Sequence, residues 1–341
     1  MTRNGAIGVP TEVLVAPDSF KGTFSAAAVA EALARGLAAS GQPAQVCPVA
    51  DGGEGTLAAL ADALGLEQLR ARASDPLGRE LEAGFGLAPD GVAVVEMAAA
   101  SGLSLVAQQQ RDAVAASSYG TGELIAAALE AGAGTVYVAA GGSATTDGGE
   151  GAVRALVERG GPRGARLVVL CDVRTPFELA PATFAPQKGA SPEQVRTLER
   201  RLDRLAAKFP RDPRGLPMTG AAGGLAGGLW SHFGAELVSG ASFVLSAVGY
   251  DARMRAARAV LTGEGRLDRQ SLVGKIVSEV ATRARQAGVP CHAVVGSLGL
   301  DRFDLRILDL QLVLEASTLA ELEAAGAQLG AAIREEFARG A

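Results

Sequence analysis

The sequence has few histidines, cysteines and aromatic residues, and each shortage argues against a class of site. Two histidines among 341 residues, with no His-Glu-x-x-His motif, argue against a zinc hydrolase. Cys47, Cys171 and Cys291 are far apart and form no Cys-x-x-Cys pair, which is typical of thiols in a reducing compartment. Aromatic residues make up 4% of the chain, which argues against the stacking platforms that bind single-stranded nucleic acid.

Long apolar runs and clustered positive charge are also missing. The first residues lack the apolar core of a signal peptide, and no stretch of about 18 apolar residues lacks glycine or charge. We therefore predict a cytoplasmic protein with no membrane partner. The formal net charge is -5, and the Arg-rich residues 196–204 alternate with acidic ones, which is typical of a solvated helix face. The sequence predicts no nucleic-acid partner.

Glycine, in contrast, is abundant. It accounts for 45 of the 341 residues, about twice the average usage of roughly 7%. Glycine lets the backbone approach a ligand closely and turn its N–H groups toward it. The composition therefore favours sites built from backbone-lined loops.

Short apolar runs alternate with helical patterns at the two ends of the chain. This alternation predicts an α/β domain whose parallel sheet is buried on both faces. Such a sheet binds ligands beyond the carboxyl ends of its strands. The predicted strands are residues 13–16, 45–48, 259–262, 292–295 and 311–314.

The middle of the chain has a different pattern, in which three strands follow one another before the alternation resumes. The three strands predict a meander, and the whole segment predicts a second α/β domain inserted into the first. We place the first domain at residues 1–68 and 255–341, and the inserted domain at residues 69–254. The predicted strands here are residues 69–73, 80–85, 92–96, 135–139 and 167–171, and the predicted helices are residues 119–131 and 149–159.

Loops that combine glycine with a carboxylate recur where predicted strands end. In the first, Asp18, Ser19 and Lys21 lie between a strand and a helix N-terminus, which is a favourable place for an anion. Helix capping is the simpler interpretation of any one loop. Their number favours Mg²⁺-dependent phosphoryl transfer, in which carboxylates hold Mg²⁺ or accept a proton and lysines neutralise phosphate. The other loops carry Asp51, Gly52, Gly53 and Glu54; Gly141, Gly142, Ser143 and Asp147; Asp172; Lys188; and Gly263, Glu264, Asp268 and Lys275.

Three other site patterns are incomplete in this sequence. Neither the phosphate loop G-x-x-x-x-G-K-[ST] nor the dinucleotide fingerprint G-x-G-x-x-G occurs. The segment around Ser297 is similar to a nucleophile elbow, but Val295 occupies the first glycine position and both histidines precede the serine. An apparatus of carboxylates, lysines and glycines remains.

A series of short strings occurs in order from residue 13 to residue 275. They are APDSFKGTFSA, ADGGEGT, VEMAAASGL, SSYGTGELI, GGSATTDGG, CDV, PQKGA, GAAGGLAGGL, TGEGRLD and GK, followed by GSL. Together they closely resemble the bacterial glycerate kinase family. The resemblance implies a flavodoxin-like, Rossmann-like parallel-sheet domain interrupted by a second α/β domain, with the active site in a cleft between them. It also implies transfer of the ATP γ-phosphate to D-glycerate with Mg²⁺, giving 2-phosphoglycerate or 3-phosphoglycerate.

The resemblance, carried over residue by residue, suggests a role for each matched position. Asp172 is the first candidate for the base that accepts the glycerate hydroxyl proton, and Asp51 is the second. Asp268 and Glu264 are candidates for holding Mg²⁺. The other assignments are Lys21 and Lys275 for catalytic neutralisation of phosphate charge, and Asp18, Ser19, Gly52, Gly53, Glu54, Gly141, Gly142, Ser143, Asp147, Lys188 and Gly263 for substrate or nucleotide binding.

The chain departs from the family pattern in several places. Glu150 adds a negative charge beside the predicted anion loop, and Arg174 begins an unusual segment after CDV. The segment before CDV is short, so we expect an inserted domain smaller than is usual in the family. Two alternatives therefore stay open: a non-catalytic sugar-acid sensor on the same fold, and a kinase for another small hydroxy acid. A dehydrogenase is disfavoured by the incomplete fingerprint, and the sequence leaves a homodimer open.

Overall fold

Two β-sheets organise the chain, which a computed structural model describes at residues 11–171, 173–272 and 275–340. Contacts between Cα atoms divide it into two compact units. The first unit ends at Ala50 and resumes at Leu245, and the second unit runs from Asp51 to Val244. No helix in the described ranges is both long enough and apolar enough to cross a membrane.

The helices and strands are numbered in chain order. The strands are β1 (Val13–Pro17), β2 (Ala44–Val46), β3 (Glu67–Ser74), β4 (Glu80–Leu87), β5 (Val92–Glu96), β6 (Thr135–Ala139), β7 (Arg166–Cys171), β8 (Glu236–Ser239), β9 (Ala259–Glu264), β10 (Cys291–Val295) and β11 (Leu310–Glu315). The helices are α1 (Ala26–Ala39), α2 (Thr56–Leu64), α3 (Ala98–Ser101), α4 (Tyr119–Glu130), α5 (Glu150–Glu158), α6 (Ala180–Phe184), α7 (Pro192–Ala206), α8 (Leu225–Phe233), α9 (Gly240–Ala247), α10 (Tyr250–Arg255), α11 (Ile276–Ala287), α12 (Arg302–Leu308) and α13 (Leu319–Gly340).

The sheet of the first unit is entirely parallel, with the order β11-β10-β9-β1-β2. Every residue of β1 is buried, as expected for a strand covered on both faces. Counted along the chain, these five strands have the order 5-4-3-1-2, which is the flavodoxin-like arrangement. This confirms the predicted fold class. The strand order reverses between β1 and β9, so a ligand crevice is expected at their carboxyl ends.

Helices α1 and α13 pack closely together on one side of this sheet. The Ser25 side chain caps α1 by accepting a hydrogen bond from the backbone N–H of Ala28, at 3.2 Å. The contact needs glycine at residue 36, because a Cβ there would lie 1.9 Å from the carbonyl oxygen of Glu323. The helix pair buries apolar side chains such as Leu33 and Leu329 against the sheet.

The second unit contains a six-stranded sheet with the order β3-β4-β5-β6-β7-β8. Strands β3 to β5 are antiparallel and strands β5 to β8 are parallel. This confirms the predicted change from a meander to alternating strands and helices. Strand β8 was not predicted, because its four residues include Glu236 and Ser239 and form no continuous apolar run.

The units divide at other positions than the predicted domain boundaries after residue 68 and before residue 255. Helix α2 packs on β4 and β5 of the second unit. Gly86 provides the space, because a Cβ there would lie 2.5 Å from Cδ1 of Leu57. At the other boundary, α10 packs on α11, and the Tyr250 hydroxyl donates to the carbonyl oxygen of Val280 at 3.2 Å. Packing of these two helices, which the strand pattern does not reveal, sets the observed division.

The glycine-rich residues 220–229 fill a tightly packed part of the second unit. A Cβ at Gly223 would lie 2.0 Å from the carbonyl oxygen of Thr145, and one at Gly227 would lie 2.5 Å from Cδ2 of Phe177. Phe177 is fully buried. Close packing therefore accounts for the small residues of this segment.

Candidate functional site

A cavity of about 320 Å³ lies at the carboxyl ends of β1, β9, β10 and β11. We call it the first-unit pocket. It lies where the strand order predicts a ligand crevice. Its lining residues are Asp18, Ser19, Phe20, Lys21, Thr23, Glu264, Gly265, Arg266, Lys275, Gly296 and Ser317.

Two carboxylates in this pocket come from neighbouring strands. Pro17 pairs with Gly263 in the sheet, and the backbone N–H of Asp18 donates to the carbonyl oxygen of Gly263 at 2.8 Å. Asp18 and Glu264, the next residues on the two strands, therefore lie side by side at the same edge of the sheet, and both are buried. The turn of Asp18 is tight, because its Oδ1 accepts a hydrogen bond from the backbone N–H of Ser19 at 2.6 Å.

Three cations line the same pocket. Lys21 is exposed on the turn after β1, and Arg266 follows β9. Lys275 is the N-cap residue of α11, and a helix start also favours an anion. Three positive side chains and two carboxylates therefore line the pocket.

Asp268, predicted to hold Mg²⁺ with Glu264, is not among the residues that line this pocket. Its Oδ2 lies 3.2 Å from Nε of Arg266, in an ion pair. The described residues contain no group of three or more His, Cys, Asp or Glu side chains that could hold a metal. The carboxylates that share the first-unit pocket are those of Asp18 and Glu264.

A second cavity, of about 230 Å³, lies at the carboxyl ends of β6 and β7. We call it the second-unit pocket. It combines a glycine loop and one lysine with apolar walls. Its lining residues are Leu103, Ala140, Gly141, Gly142, Ser143, Val173, Phe184, Gln187, Lys188 and Ala222.

Among the described residues that line the second-unit pocket, Lys188 carries the charge. The residue is only 2% exposed, and its Nζ donates to Oγ of Ser143 at 2.8 Å and to the carbonyl oxygen of Thr145 at 2.5 Å. A buried ammonium beside a hydroxyl and a glycine loop is suited to a small anion. The structure therefore places Lys188, Ser143 and the glycine pair Gly141-Gly142, which the sequence offers as separate binding candidates, at one cavity.

The loop that carries Ser143 is held by backbone contacts on both sides. The N–H of Leu103 donates to the carbonyl oxygen of Gly142 at 2.9 Å, and the N–H of Gly141 donates to that of Gly52 at 3.3 Å. A Cβ at Gly141 would lie 2.5 Å from the Cα of Gly53. The predicted loops at residues 51–54 and 141–147 are thus neighbours.

Asp51 and Glu54, from the first of these two loops, differ in exposure. Asp51 is 1% exposed, and its Oδ1 accepts a hydrogen bond from the N–H of Gly53 at 3.1 Å. Glu54 is exposed. Asp172, the first candidate for the base, lies outside the described residues.

Asp147 is buried among backbone and hydroxyl donors and lines neither pocket. Its Oδ2 accepts from the N–H and Oγ of Ser118, both at 2.8 Å, and from the N–H of Gly151 at 3.2 Å. Its Oδ1 accepts from the N–H of Gly149 at 3.1 Å. Four donors at the starts of α4 and α5 favour the capping interpretation of this residue.

The extra charge of Glu150 is also directed away from the second-unit pocket. Glu150 is exposed at the start of α5, and its Oε2 lies 2.9 Å from Nη2 of Arg201. It does not line the pocket. The negative charge at residue 150 is therefore paired with Arg201 outside the lining of the pocket that holds Lys188.

Two charged residues near strand ends were missed by the sequence patterns. Glu96 ends β5, and its Oε1 accepts a hydrogen bond from the N–H of Leu57 at the start of α2, at 2.7 Å. Burial raises the pKa of Glu96 above its ordinary value, although hydrogen bonds from the start of α2 oppose the rise. Arg266 lines the first-unit pocket. Both lie inside strings that support the family resemblance, VEMAAASGL and TGEGRLD, but neither stands beside a glycine pair.

Comparison with known proteins gives concordant results. The profile described as the glycerate kinase family matches residues 13–159 and 158–336. A glycerate kinase of Halalkalibacterium halodurans is 38% identical over 325 residues, which cover 84% of this chain and 86% of that protein. A glycerate 2-kinase of Escherichia coli is 38% identical over 325 residues, which cover 84% and 85%. The crystal structure of a protein assigned as glycerate kinase 2 of Salmonella typhimurium is similar with a TM-score of 0.78 and 31% identity, covering 96% of this chain and 99% of that one.

Proposed function

The chain belongs to the glycerate kinase family, and from this membership we propose that it transfers the γ-phosphate of ATP to D-glycerate, giving 2-phosphoglycerate. The observation that carries the proposal is the first-unit pocket, where two buried carboxylates share a crevice with three cations. That combination suits a metal-bound polyphosphate. The name of the Escherichia coli relative, glycerate 2-kinase, supports the choice of the 2-hydroxyl.

The donor set of the first-unit pocket fits Mg²⁺. Proteins bind Mg²⁺ through one or two carboxylates, and water and substrate phosphates complete its coordination. Asp18 and Glu264 leave adjacent strands and line one cavity, so they are the residues that would hold the ion. When bound, Mg²⁺ neutralises charge on the phosphate oxygens.

The cations of this pocket bind phosphate oxygens in the proposed function. Lys275 binds the phosphate chain at the start of α11, where the helix dipole adds to the positive charge of the lysine. Lys21 binds the phosphate chain from the turn after β1. Both residues stabilise the negative charge that spreads over the transferred group.

The second-unit pocket supplies a site for the acceptor. Lys188 and Ser143 bind the glycerate carboxylate, with the backbone of the Gly141-Gly142 pair beside them. The side chain of Phe184 excludes water from one wall. Because the 2-hydroxyl is on the carbon that carries the carboxylate, fixing the carboxylate also limits the positions of that hydroxyl.

The chemical step exchanges one phosphorus–oxygen bond for another. The 2-hydroxyl oxygen of glycerate forms a bond to the γ-phosphorus, and the bond from that phosphorus to the bridging oxygen breaks. ADP leaves with the bonding electron pair, and the hydroxyl proton passes to a carboxylate. Asp172 remains our first candidate for this base, and Asp51, which is buried beside the glycine loop, is the second.

The test combines ADP release with the identity of the product. We expect ADP to form from ATP with D-glycerate, and more slowly with other small hydroxy acids. In the ³¹P spectrum, the product phosphorus should couple to a single proton and give a doublet, since the 2-oxygen is attached to a CH group. A triplet would identify 3-phosphoglycerate, and ADP formation only with another hydroxy acid would contradict the acceptor.

A further inference from the structure

We propose that Arg266 is a phosphate-binding residue of the first-unit pocket, and that Asp268 is a positioning residue that orients it and not a ligand of Mg²⁺. The inference rests on the proposed function, because it concerns the nucleotide phosphates of the same site. It assigns different roles to two residues of one loop, because only one of them lines the pocket. Arg266 lines the pocket, whereas Asp268 does not.

The ion pair between the two residues explains how Arg266 is aimed. Nε of Arg266 lies 3.2 Å from Oδ2 of Asp268. A guanidinium carries five N–H donors in a planar fork. A pair formed through Nε engages one edge of that fork, so donors remain for the oxygens of a second anion.

The loop that carries Asp268 is fixed by backbone hydrogen bonds. The N–H of Leu267 donates to the carbonyl oxygen of Ser297 at 3.0 Å, and the N–H of Gly299 donates to that of Leu267 at 2.8 Å. The N–H of Ser271 donates to the carbonyl oxygen of Asp268 at 2.8 Å, and Leu267 is fully buried. The backbone of Asp268 is therefore held in place, and its carboxylate can orient the side chain of Arg266.

The side chain of Arg266, in contrast, is exposed and is oriented by its ion pair with Asp268. This side chain is 73% exposed, and ordering an unrestrained arginine costs conformational entropy, because its long side chain has many rotamers. An exposed ion pair contributes little to folding stability. The contact with Asp268 therefore has more effect on the orientation of the guanidinium than on the stability of the fold.

Charge in the first-unit pocket points to phosphate as the partner of Arg266. Asp18 and Glu264 line the pocket with Lys21 and Lys275, and Arg266 adds a third cation whose carboxylate partner, Asp268, lies outside the lining. A triphosphate remains anionic after it binds one Mg²⁺, and guanidinium groups bind phosphate oxygens in a bidentate manner. A Mg²⁺ ion bound to Asp268 would lie close to the Arg266 guanidinium and would be repelled by its positive charge.

The experiment measures nucleotide affinity and metal dependence in four variants: Arg266→Gln, Arg266→Lys, Asp268→Asn and Glu264→Gln. Calorimetry with Mg²⁺ and a non-hydrolysable ATP analogue gives the affinity. Steady-state assays at saturating D-glycerate give KM for ATP and the Mg²⁺ concentration for half-maximal rate. Circular dichroism checks that each variant is folded. If Arg266→Gln does not fold, Arg266→Lys, which keeps the positive charge, still tests the inference.

We expect Arg266→Gln to weaken nucleotide binding at least about tenfold, since a hydrogen bond to a charged group is lost. Arg266→Lys should recover part of the affinity, because lysine keeps the charge but not the fork. Asp268→Asn should weaken binding by about threefold, in the range of an exposed ion pair, and leave the Mg²⁺ dependence unchanged. Glu264→Gln should raise the required Mg²⁺ concentration.

A double-mutant cycle separates orientation from a merely structural role. If Asp268 acts through Arg266, Asp268→Asn has no further effect in the Arg266→Gln background. Additive losses, or a shift in Mg²⁺ dependence for Asp268→Asn as large as for Glu264→Gln, would overturn the inference. Wild-type nucleotide affinity in both Arg266 variants would also overturn it. Absence of nucleotide binding by the unaltered protein would instead contradict the proposed function.

Discussion

The two pockets use the same strand-end geometry for different chemistry. The first-unit pocket holds two buried carboxylates and three cations, of which Lys21 and Arg266 are exposed at its rim. Among its described lining residues, the second-unit pocket has one charged side chain, Lys188, which is 2% exposed and donates to Oγ of Ser143. Mixed, partly exposed charge suits a metal-bound triphosphate, and a buried ammonium suits a small carboxylate. The difference predicts that variants of the two pockets separate the Michaelis constants of the two substrates.

The largest effect is expected from Lys188→Met in the second-unit pocket. Loss of this buried ammonium should lower kcat/KM for D-glycerate about a hundredfold, because a charged hydrogen-bonding group is removed from a water-poor site. KM for ATP should change by less than about threefold if the pockets divide the substrates as proposed. Lys208→Met, at an exposed residue, is the matched control. An equal rise in both Michaelis constants would break the comparison.

The next effect concerns the two buried carboxylates of the first-unit pocket, Asp18 and Glu264. Asp18→Asn should lower kcat about thirtyfold and raise the Mg²⁺ concentration for half-maximal rate, because one anionic ligand is lost. The amide retains an oxygen that can accept the hydrogen bond from Ser19, so the turn should be preserved. Glu12→Gln, at an exposed residue of the same unit, controls for net charge. An unchanged Mg²⁺ dependence would remove Asp18 from the metal site.

A smaller effect is expected from Lys21→Ala, since this lysine is exposed and its charge is screened by solvent. KM for ATP should rise up to about tenfold, and KM for D-glycerate should stay constant. The midpoint of thermal unfolding should not change. A rise in KM for D-glycerate alone would assign Lys21 to the acceptor and reverse the division of substrates.

The smallest expected effect is a loss of stability in acid, which we expect in the first unit and not in the second. His292 lies on β10 of the first unit and is 1% exposed, and neither ring nitrogen has a hydrogen-bond partner. Burial lowers its pKa from 6.5 to about 4. The unfolded chain therefore binds a proton that the folded chain excludes, and the free energy of unfolding should fall by about 1 kcal/mol from pH 6.5 to pH 5.5.

His292→Leu tests this assignment, because leucine cannot take up a proton. Denaturant unfolding of the variant and the unaltered protein should show a smaller loss of stability in the variant over that pH range. Exchange of backbone amides should show that the loss is confined to the first unit. An equal loss in both proteins would mean that other groups cause it.

Local sequence patterns predicted most of the fold. Strand β6 was predicted at its observed bounds, and the five strands of the first sheet differ from the prediction by at most two residues at either end. The unit to which α2 belongs was harder to predict. The helix joins the second unit by packing on β4 and β5, and hydrophobic periodicity does not show which sheet a helix packs on. Strand β8 was too short and too polar to give a signal.

The candidate site was less predictable, since burial depends on neighbours that are distant in sequence. The buried Lys188 donates to Ser143, 45 residues away, and the buried Asp147 accepts from Ser118, 29 residues away. Both had the same appearance in sequence: a polar residue beside glycine near an element boundary. Only the structure shows that one lines a pocket and the other caps helices. The role of Asp172, the cytoplasmic location and a homodimer stay predictions.

The glycine contacts beneath the second-unit pocket bear on how its substrate range can be changed. The Gly53–Gly141 and Gly223–Thr145 contacts leave no room for a Cβ, so substitution there displaces the loop that holds Ser143. Engineering therefore has to act on the half-buried walls, Leu103, Val173 and Phe184. A library restricted to these three positions should yield acceptors with longer or bulkier tails, whereas random mutagenesis of the glycines should yield mostly unfolded protein.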